Sequence, residues 1–151
     1  MNQPTDPTRR EDFAFAHRLR VRWAEVDPQG VVFNANYYVY FDVAITEYWR
    51  AIGLKYPADL VERFGSDLFA VASGATFRSP ARYDEEIDVG CRVARLGRTS
   101  LTFALALWRD GEHLASGELT YVNADAATRK PAPLPTLLVD KIRAFEARQP
   151  D

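Results

Sequence analysis

The chain has 151 residues, the usual length of one domain and enough to bury a single hydrophobic core. Hydrophobic residues make up 47% and charged residues 26%, which is typical of a globular domain and excludes a disordered chain. Lys and Arg number 19 and Asp and Glu 21, so the net charge of −2 excludes a global basic field for binding nucleic acid.

Cysteine and histidine are scarce. Cys91 is the only cysteine, so an internal disulfide is excluded. One cysteine with two histidines is too few for a structural zinc cluster. We therefore expect no metal and a reducing, cytoplasmic location.

The sequence has no signature of a membrane helix or an export segment. The longest run without a charged residue, 28–41, is shorter than the ~20 residues that a membrane helix needs, so we expect no membrane partner. The first residues are polar and lack an apolar run, and we expect a mobile arm over 1–14. No internal repeat divides the rest, so 1–151 is predicted to form a single domain.

A strand and a turn are predicted first. Over 17–25, Leu19, Val21 and Trp23 alternate with three arginines, which is typical of a half-buried strand. Residues 27–30, Asp-Pro-Gln-Gly, have the residue preferences of a type I turn.

A long helix is predicted after the turn. Asn34 or Asn36 is placed to cap its N-terminus, and Gly53 follows its last residue, at about Ile52. At about 100° per residue, its polar residues occupy an arc of about 140°. The apolar surface is wider than the stripe of an ordinary surface helix, so we expect the helix to be largely enclosed. The apolar residues are Tyr37, Tyr38, Tyr40, Phe41, Ala44, Ile45, Tyr48, Trp49, Ala51 and Ile52.

Strands dominate the second half of the chain. A short helix over 58–64 is predicted to end at Gly65, and a terminal helix is predicted over 136–148. Between them, four stretches have a period of two, with hairpin turns at Gly97-Arg98 and Asp110-Gly111. The stretches are 69–80, 86–96, 99–108 and 112–123. This order predicts an α+β domain in which a five-stranded antiparallel sheet wraps around a long central helix.

The loop between the first strand and the helix is the strongest candidate site. The sequence has no nucleophile elbow, phosphate-binding P-loop or dinucleotide fingerprint. Asp27 precedes the helix N-terminus, where unpaired N–H groups and the helix dipole create a positive potential. A carboxylate beside such groups suits acyl transfer, as general base or nucleophile facing an oxyanion site. Asp before Pro is also a plain turn former, and Asn34 a plain cap, and spacing alone favours these simpler interpretations.

Two segments resemble one enzyme family. Residues 21–37, VRWAEVDPQGVVFNANY, look like the signature of hot-dog-fold acyl-CoA thioesterases of the 4-hydroxybenzoyl-CoA thioesterase type. Residues 77–87, FRSPARYDEEI, resemble the second strand and turn of that family, and the similarity covers residues 17–135. The resemblance implies a hot-dog fold and hydrolysis of acyl-CoA to free acid and coenzyme A.

The resemblance also implies roles for individual residues. The residue matching Asp27 is the catalytic carboxylate, which attacks the thioester carbonyl or activates water. The backbone N–H matching Asn34 polarises that carbonyl, and since relatives often carry Tyr or His there, Asn34 argues against the branch that uses His. Four further residues are expected to contact substrate: Gly30, Val31, Phe33 and Tyr37. Tyrosines here suit an aryl pocket, although aromatic residues of an enclosed helix are more often core packing.

Coenzyme A carries phosphate groups, so we expect local basic residues despite the net charge. Arginine suits phosphate oxygens through charge-assisted hydrogen bonds. One cluster at the Gly97 hairpin contains Arg92, Arg95 and Arg98, and a second contains Arg129 and Lys130. The resemblance favours Arg95, Arg98, Arg129 and Lys130 as nucleotide contacts, although each alone is compatible with a solvated strand end. Coenzyme A is part of the substrate, and no separate cofactor is expected.

A homodimer or a tetramer built as a dimer of dimers is predicted. One sheet covers only part of so apolar a helix, and an open edge strand is an aggregation hazard that edge-to-edge pairing removes. In the family that the chain resembles, such pairing also sets the loop of Asp27 against the partner. The competing hypothesis is a non-catalytic module that binds acyl-CoA or acyl-carrier protein in the same groove. A hydratase of this fold is disfavoured because no histidine lies between His17 and His113.

Overall fold

A five-stranded antiparallel sheet is the frame of the structure, a computed structural model that describes residues 8–151. Its strands are β1 (Ala16–Arg20), β2 (Ser66–Phe77), β3 (Glu86–Leu96), β4 (Ser100–Arg109) and β5 (Glu112–Asp125). They are ordered β1-β3-β4-β5-β2, and all neighbours are antiparallel. The helices are α1 (Asn36–Ala51), α2 (Ala58–Phe64) and α3 (Thr136–Phe145), with 3-10 turns at Arg10–Asp12 and Trp23–Glu25. The predicted α+β architecture is confirmed. No helix in the described part of the chain is long and apolar enough to cross a membrane.

Turn chemistry explains where the strands reverse and where α2 stops. Asp110 and Gly111 have φ angles of 48° and 83°, as a type I′ turn between β4 and β5 requires. In the β3–β4 hairpin, the Gly97 N–H donates to the Ser100 C=O at 2.8 Å. Gly65 ends α2 with a left-handed φ of 63°. The two predicted hairpins and the helix stop are confirmed.

The sheet packs against one side of α1. Phe41 lies on Gly117 of β5, where a Cβ atom would approach the Phe41 ring to 2.5 Å, so the contact depends on glycine. Tyr38 and Val39 on the other side are 38% and 48% exposed. The predicted enclosure is confirmed for one side, and the other side is open in a single chain. The buried residues of α1 are Tyr37, Tyr40, Phe41, Ala44, Ile45, Tyr48 and Trp49.

The first strand is shorter than predicted. β1 ends at Arg20 and a 3-10 turn follows, so the strand predicted over 17–25 is wrong beyond that residue. The cause is Glu25, whose carboxylate accepts hydrogen bonds from the main-chain and side-chain N–H groups of Arg22. This pairing turns the chain, and Trp23, predicted to face the core, is 74% exposed.

The N-terminus of α1 lacks the predicted side-chain cap. Ala35 is the N-cap residue, and no described side chain forms a capping hydrogen bond there. The Asn36 side-chain amide donates instead to the Glu25 C=O at 2.9 Å, and Asn34 is exposed. The first N–H groups of the helix are therefore not covered by a capping side chain.

The N-terminal segment packs against the sheet. The Phe13 ring lies edge-on to Trp108, with 5.2 Å between ring centroids, and Asp12 is buried. The mobile arm predicted over 1–14 is therefore wrong at its C-terminal end, because an aromatic contact anchors it. Residues 1–7 lie outside the described residues.

The C-terminal segment covers the part of β3 that β1 does not reach. The terminal helix predicted over 136–148 ends at Phe145. Glu146 leaves the helix because its carboxylate accepts a hydrogen bond from the Val93 N–H at 2.8 Å. Asp151 exchanges two main-chain hydrogen bonds with β3. These bonds take the place of a neighbouring strand.

The opposite edge of the sheet is open. Within residues 8–151, β2 pairs with β5 alone, and its residues 70–74 are exposed. Val71 in this stretch is 60% exposed. A long unpaired edge strand is a template for pairing with another chain.

Candidate active site

The loop between β1 and α1 is fastened to the segment that precedes β3. The Val32 N–H donates to the Ala81 C=O at 2.9 Å, and Val31 forms a β-bridge to the same segment. A second bridge joins Val26 to Val32 and closes the base of the loop. These contacts hold the turn that begins at Asp27.

Asp27 is tied into its own turn. Its N–H donates to the Val31 C=O at 2.9 Å, and its C=O accepts from the Gly30 N–H at 2.9 Å. The Gln29 N–H donates to Asp27 Oδ1 at 2.8 Å, the bond with which aspartate starts a turn. The predicted turn is confirmed. The other carboxylate oxygen, Oδ2, accepts no hydrogen bond from the described residues.

Asp27 and Asn34 border neighbouring surfaces rather than one pocket. Asp27 and the half-exposed Phe33 line an open groove of about 580 Å³. Asn34 and Tyr37 line a smaller depression of about 230 Å³ with Phe77. The two surfaces adjoin because Phe33 and Asn34 are consecutive, but a single chain does not merge them.

The N-terminus of α1 offers free main-chain donors. Among the described residues, the N–H groups of Asn34 and Ala35 have no acceptor, whereas the Asn36 N–H bonds to the Phe33 C=O at 2.8 Å. Unpaired N–H groups at this end carry the positive pole of the helix dipole. Such donors suit an oxygen that becomes negative during a reaction.

Sequence reasoning missed Glu25, which joins both ends of the loop. Its C=O accepts hydrogen bonds from the Phe33 N–H at 3.0 Å and from the Asn36 side chain at 2.9 Å. Its buried carboxylate accepts from Arg22 and from the Tyr40 hydroxyl. Burial raises the pKa of Glu25, but these hydrogen bonds outweigh burial and hold the pKa below its usual range. An acidic residue in a loop gives no sequence signal of burial, so only the structure reveals this residue.

The residues predicted to contact substrate differ in whether the side chain or only the main chain takes part in the site. Tyr37 is buried, its hydroxyl accepts from the Ala81 N–H at 3.1 Å, and its ring lies edge-on to Phe77. Only the ring therefore borders the depression. Gly30, with a φ of 79°, and Val31 shape the turn through the main chain. Their contact with substrate stays a prediction.

The predicted nucleotide contacts lie at the far end of the sheet. They are Arg95, Arg98, Arg129 and Lys130. Arg95 pairs with Glu118 at 2.9 Å, and Arg129 lies over the Phe69 ring at 5.0 Å. β3 begins near the Asp27 loop and ends at these residues, and its 11 residues span roughly 35 Å at ~3.3 Å per residue. A single chain does not bring the two groups together.

Neither a metal cluster nor an activated thiol accompanies the loop. Within residues 8–151, no three His, Cys, Asp or Glu side chains are grouped to hold a metal ion. Cys91 is a free, fully buried thiol in β3, and burial raises its pKa well above the usual value. This placement matches the core residue that its position in a strand predicts.

Known proteins resemble the chain in sequence and in fold. A sequence model of the thioesterase superfamily matches residues 29–116. The acyl-CoA thioester hydrolase YbgC of Escherichia coli is 27% identical over 131 residues, which cover 85% of this chain and 96% of that protein.

Solved structures extend the similarity. A thioesterase of Thermus thermophilus, solved with coenzyme A and Zn, is 31% identical with a TM-score of 0.78, covering 92% of this chain and 98% of that one. A 1,4-dihydroxy-2-naphthoyl-CoA thioesterase from Synechocystis is 19% identical with a TM-score of 0.78, covering 85% of this chain and 94% of that one. The second likeness concerns the fold alone.

Proposed function

The chain belongs to the thioesterase superfamily and has the hot-dog fold, and we propose that it hydrolyses acyl-CoA thioesters to free acid and coenzyme A. The observation that carries this function is the Asp27 loop, which joins a carboxylate oxygen without a partner to a helix N-terminus with free N–H groups. The activity named for the Escherichia coli relative supports it. The narrower 4-hydroxybenzoyl-CoA type stays a hypothesis.

Asp27 supplies the reacting carboxylate in this proposal. Gln29 holds Oδ1, so Oδ2 is free to take a proton from water, whose oxygen then bonds to the thioester carbon. The carbonyl oxygen becomes negative, and the Asn34 N–H donates to it. The carbon–sulfur bond then breaks, and the leaving thiolate takes the proton from Asp27. If Oδ2 instead attacks the carbon directly, the carbon–sulfur bond breaks, the coenzyme A thiolate leaves and a mixed anhydride forms. Water then hydrolyses the anhydride to the free acid and returns the Asp27 carboxylate, and the proton released goes to the thiolate.

The complete site is proposed to lie between two chains. Antiparallel pairing of the open β2 edges across a two-fold axis would set the arginine end of one chain beside the Asp27 end of the other. The Asp27 loop and the arginine end lie roughly 35 Å apart within one chain, and this arrangement would bring the loop of one chain close to the arginines of the other. The exposed stretch 70–74 and the open side of α1 support such a homodimer, and a dimer of dimers is compatible with it.

The competing hypothesis is a binding module without catalysis. It requires the groove and the arginines but no free carboxylate oxygen beside an oxyanion site. Asp27 Oδ2 has no hydrogen-bond partner within residues 8–151, and this favours the enzyme. We also propose that the enzyme is cytoplasmic and needs no separate cofactor, and the unpaired thiol of Cys91 supports the reducing location.

Release of free thiol tests the proposed function. The protein is incubated with short-chain, long-chain and aryl CoA thioesters, and we expect many turnovers per chain for at least one class. Binding of these esters without thiol release would contradict the hydrolase and favour the non-catalytic binding module.

Substitution of Asp27 tests the mechanism in the same assay. Asp27→Asn keeps the size and the turn acceptor but removes the charge, so turnover should fall by about 10²–10⁴-fold with little change in Tm. Asp140→Asn, on the exposed surface of α3, is the matched control and should keep wild-type turnover. Near-normal turnover of Asp27→Asn would remove Asp27 from the mechanism, and a large loss of Tm would favour a turn-forming role.

A further inference from the structure

A hydrogen-bond network connects the central strand β4 to the segment that holds the Asp27 loop. Arg109 is the last residue of β4, which pairs with a strand on each side. Its Nη1 atom donates to the Pro80 C=O at 3.1 Å and to Glu85 Oε2 at 2.7 Å. Its Nη2 atom donates to Glu112 Oε2 at 2.7 Å, across the β4–β5 turn. Three acceptors therefore hold the guanidinium in one orientation.

The peptide unit between Pro80 and Ala81 is held on both sides. Its C=O accepts from Arg109, and its N–H donates to the Tyr37 hydroxyl at 3.1 Å. Tyr37 lies in the first turn of α1, the helix end that is proposed to hold the oxyanion. Because a peptide unit is planar and rigid, the bond to Arg109 also sets the direction of the N–H that meets Tyr37.

The next peptide unit, between Ala81 and Arg82, is held in the same way. Its C=O accepts from the Val32 N–H, in the loop before α1, at 2.9 Å. Its N–H donates to Glu85 Oε2 at 2.8 Å, the same oxygen that accepts from Arg109. One guanidinium thus orients two consecutive peptide units, directly and through Glu85. These two units in turn hold the loop and the first turn of α1.

This network lies largely inside the chain. Ala81 is fully buried, and the side chains of Arg109 and Glu85 are 18% and 26% exposed. Hydrogen bonds to charged groups are stronger where water is largely excluded. Loss of the guanidinium would therefore leave both peptide units free to rotate, together with the groups that they hold.

We propose that Arg109 is a positioning residue, which keeps the Asp27 carboxylate at the distance from the N-terminus of α1 that hydrolysis requires. This inference rests on the proposed function. Arg109 lines neither the groove at Asp27 nor the depression at Asn34, so it acts through Ala81 rather than by contact with substrate. A displacement of about 1 Å at a reacting group can lower the rate by about 10²-fold.

Hydrogen exchange measured by mass spectrometry on the full chain tests the positioning without relying on activity. In Arg109→Met, peptides that contain the Val32 and Ala81 N–H groups should exchange about tenfold faster than in wild type. Peptides of β4 around Phe103 should keep the wild-type rate, which distinguishes local loosening from a general loss of stability. Arg18→Met removes an exposed arginine that pairs β1 with β3 and should change none of these rates.

Kinetics tests the link to the proposed hydrolysis. At a temperature well below the Tm of each variant, Arg109→Met should lower kcat at least about tenfold and change KM less than about twofold. Added to Asp27→Asn, it should lower kcat little further, because both changes act on the same carboxylate. Arg18→Met should keep the wild-type kcat. If Arg109→Met does not fold, Arg109→Lys keeps the charge but lacks the planar fork, and it should change exchange and kcat in the same directions.

Four outcomes would overturn the proposal. Exchange at Val32 could stay at the wild-type rate, or it could rise equally in β4. The kcat of the Arg109 variant could equal that of wild type, or its loss could multiply in full with that of Asp27→Asn. If wild type releases no thiol from any ester, the proposed function fails instead, and exchange at Val32 alone decides whether Arg109 positions the loop.

Discussion

Hydrogen bonding gives the two acids of the Asp27 loop different roles. Glu25 is buried, and its carboxylate is occupied by Arg22 and Tyr40. Asp27, two residues later, has one oxygen bonded to the Gln29 N–H, and the other has no hydrogen-bond partner in the part of the chain that the structure describes. Asp27 is therefore the proposed reacting group, and we propose that Glu25 is a positioning residue that holds the loop in place.

Glu25→Gln should lower both stability and kcat. The amide loses the charge-assisted bonds from Arg22, at a cost of about 1.5–3 kcal/mol, and the loop that carries Asp27 loosens. Because the pKa of Glu25 is lowered in the folded state, its carboxylate stabilises the fold above the unfolded pKa, and this stabilisation is lost as pH falls through the folded pKa.

Melting curves at several pH values check this expectation. The Tm difference between wild type and Glu25→Gln should shrink on acidification, and Glu62→Gln, exposed on α2, should show no such difference. A difference that does not vary with pH would contradict the role assigned to the carboxylate.

The predicted nucleotide contacts should affect KM more than kcat. Arg98→Ala and Arg129→Ala remove charges that would bind phosphate groups remote from the bond that breaks, so each should raise KM several-fold, by about 10-fold at most per lost contact. Arg63→Ala, exposed on α2, is the control. KM values equal to that of wild type would place coenzyme A elsewhere.

Among the elements, the two edges of the sheet differ in whether the chain itself covers them. The edge of β3 is closed by the C-terminal segment, in which Glu146 Oε1 accepts from the Tyr48 hydroxyl at 2.6 Å and from the Val93 N–H at 2.8 Å. Its Oε2 atom is buried and has no hydrogen-bond partner among the described residues. Burial raises the pKa of Glu146, although both hydrogen bonds oppose this effect. The β3 edge of the sheet is thus covered by a segment of the same chain, and the β2 edge is left uncovered.

Glu146→Gln should be more stable than wild type above neutral pH. A raised pKa means that the folded state favours the protonated carboxyl, so this stabilisation is complete below the unfolded pKa and is lost as pH rises through the folded pKa. Glutamine keeps the neutral form at every pH, and Tm should rise by about 2–4 °C, equivalent to about 1 kcal/mol. The gain should vanish on acidification, and a gain that persists there would contradict the raised pKa.

For the molecule as a whole, we propose that assembly into a dimer completes the site. We expect a mass of two or four chains of 17.1 kDa each in light scattering. Val71→Lys, on the exposed β2 edge, should shift the mass to one chain and lower turnover, because like charges would meet across the pair of edges. Val61→Lys, on exposed α2, is the control. A fully active single chain would defeat the shared site.

Mixing two impaired variants tests whether each site draws on both chains. In a dimer of one Asp27→Asn chain and one Arg129→Ala chain, one site would be intact and the other doubly impaired. Random exchange makes half of the dimers mixed, so the mixture should recover about one quarter of wild-type turnover at low substrate concentration. No recovery after exchange would place both residues in the site of one chain.

Elements that depend on contacts between neighbouring residues could be predicted from the sequence. The turn after Asp27, the stop of α2 at Gly65 and the Asp110-Gly111 hairpin follow from the φ angles and local hydrogen bonds of a few residues. Period-two and helical patterns predicted the strands and α1, because burial on one face repeats at fixed spacing. The resemblance around Asp27 predicted the family, which the superfamily match confirms, and the Asp27 loop stays the proposed site.

Tertiary structure decided what depends on residues far apart in sequence. Hydrogen bonds to the buried residue Glu25 decide where β1 ends and leave the N-terminus of α1 without a capping side chain. Arg22 and Tyr40 donate to its carboxylate, and the Asn36 side chain donates to its C=O. Phe13 is anchored by Trp108, and α3 stops where Glu146 reaches β3. The distance between the Asp27 loop and the arginine end is set by strand direction, which no local pattern encodes. Desolvation and long-range pairing are properties of the folded chain, and they decide which of its charged residues are free to act.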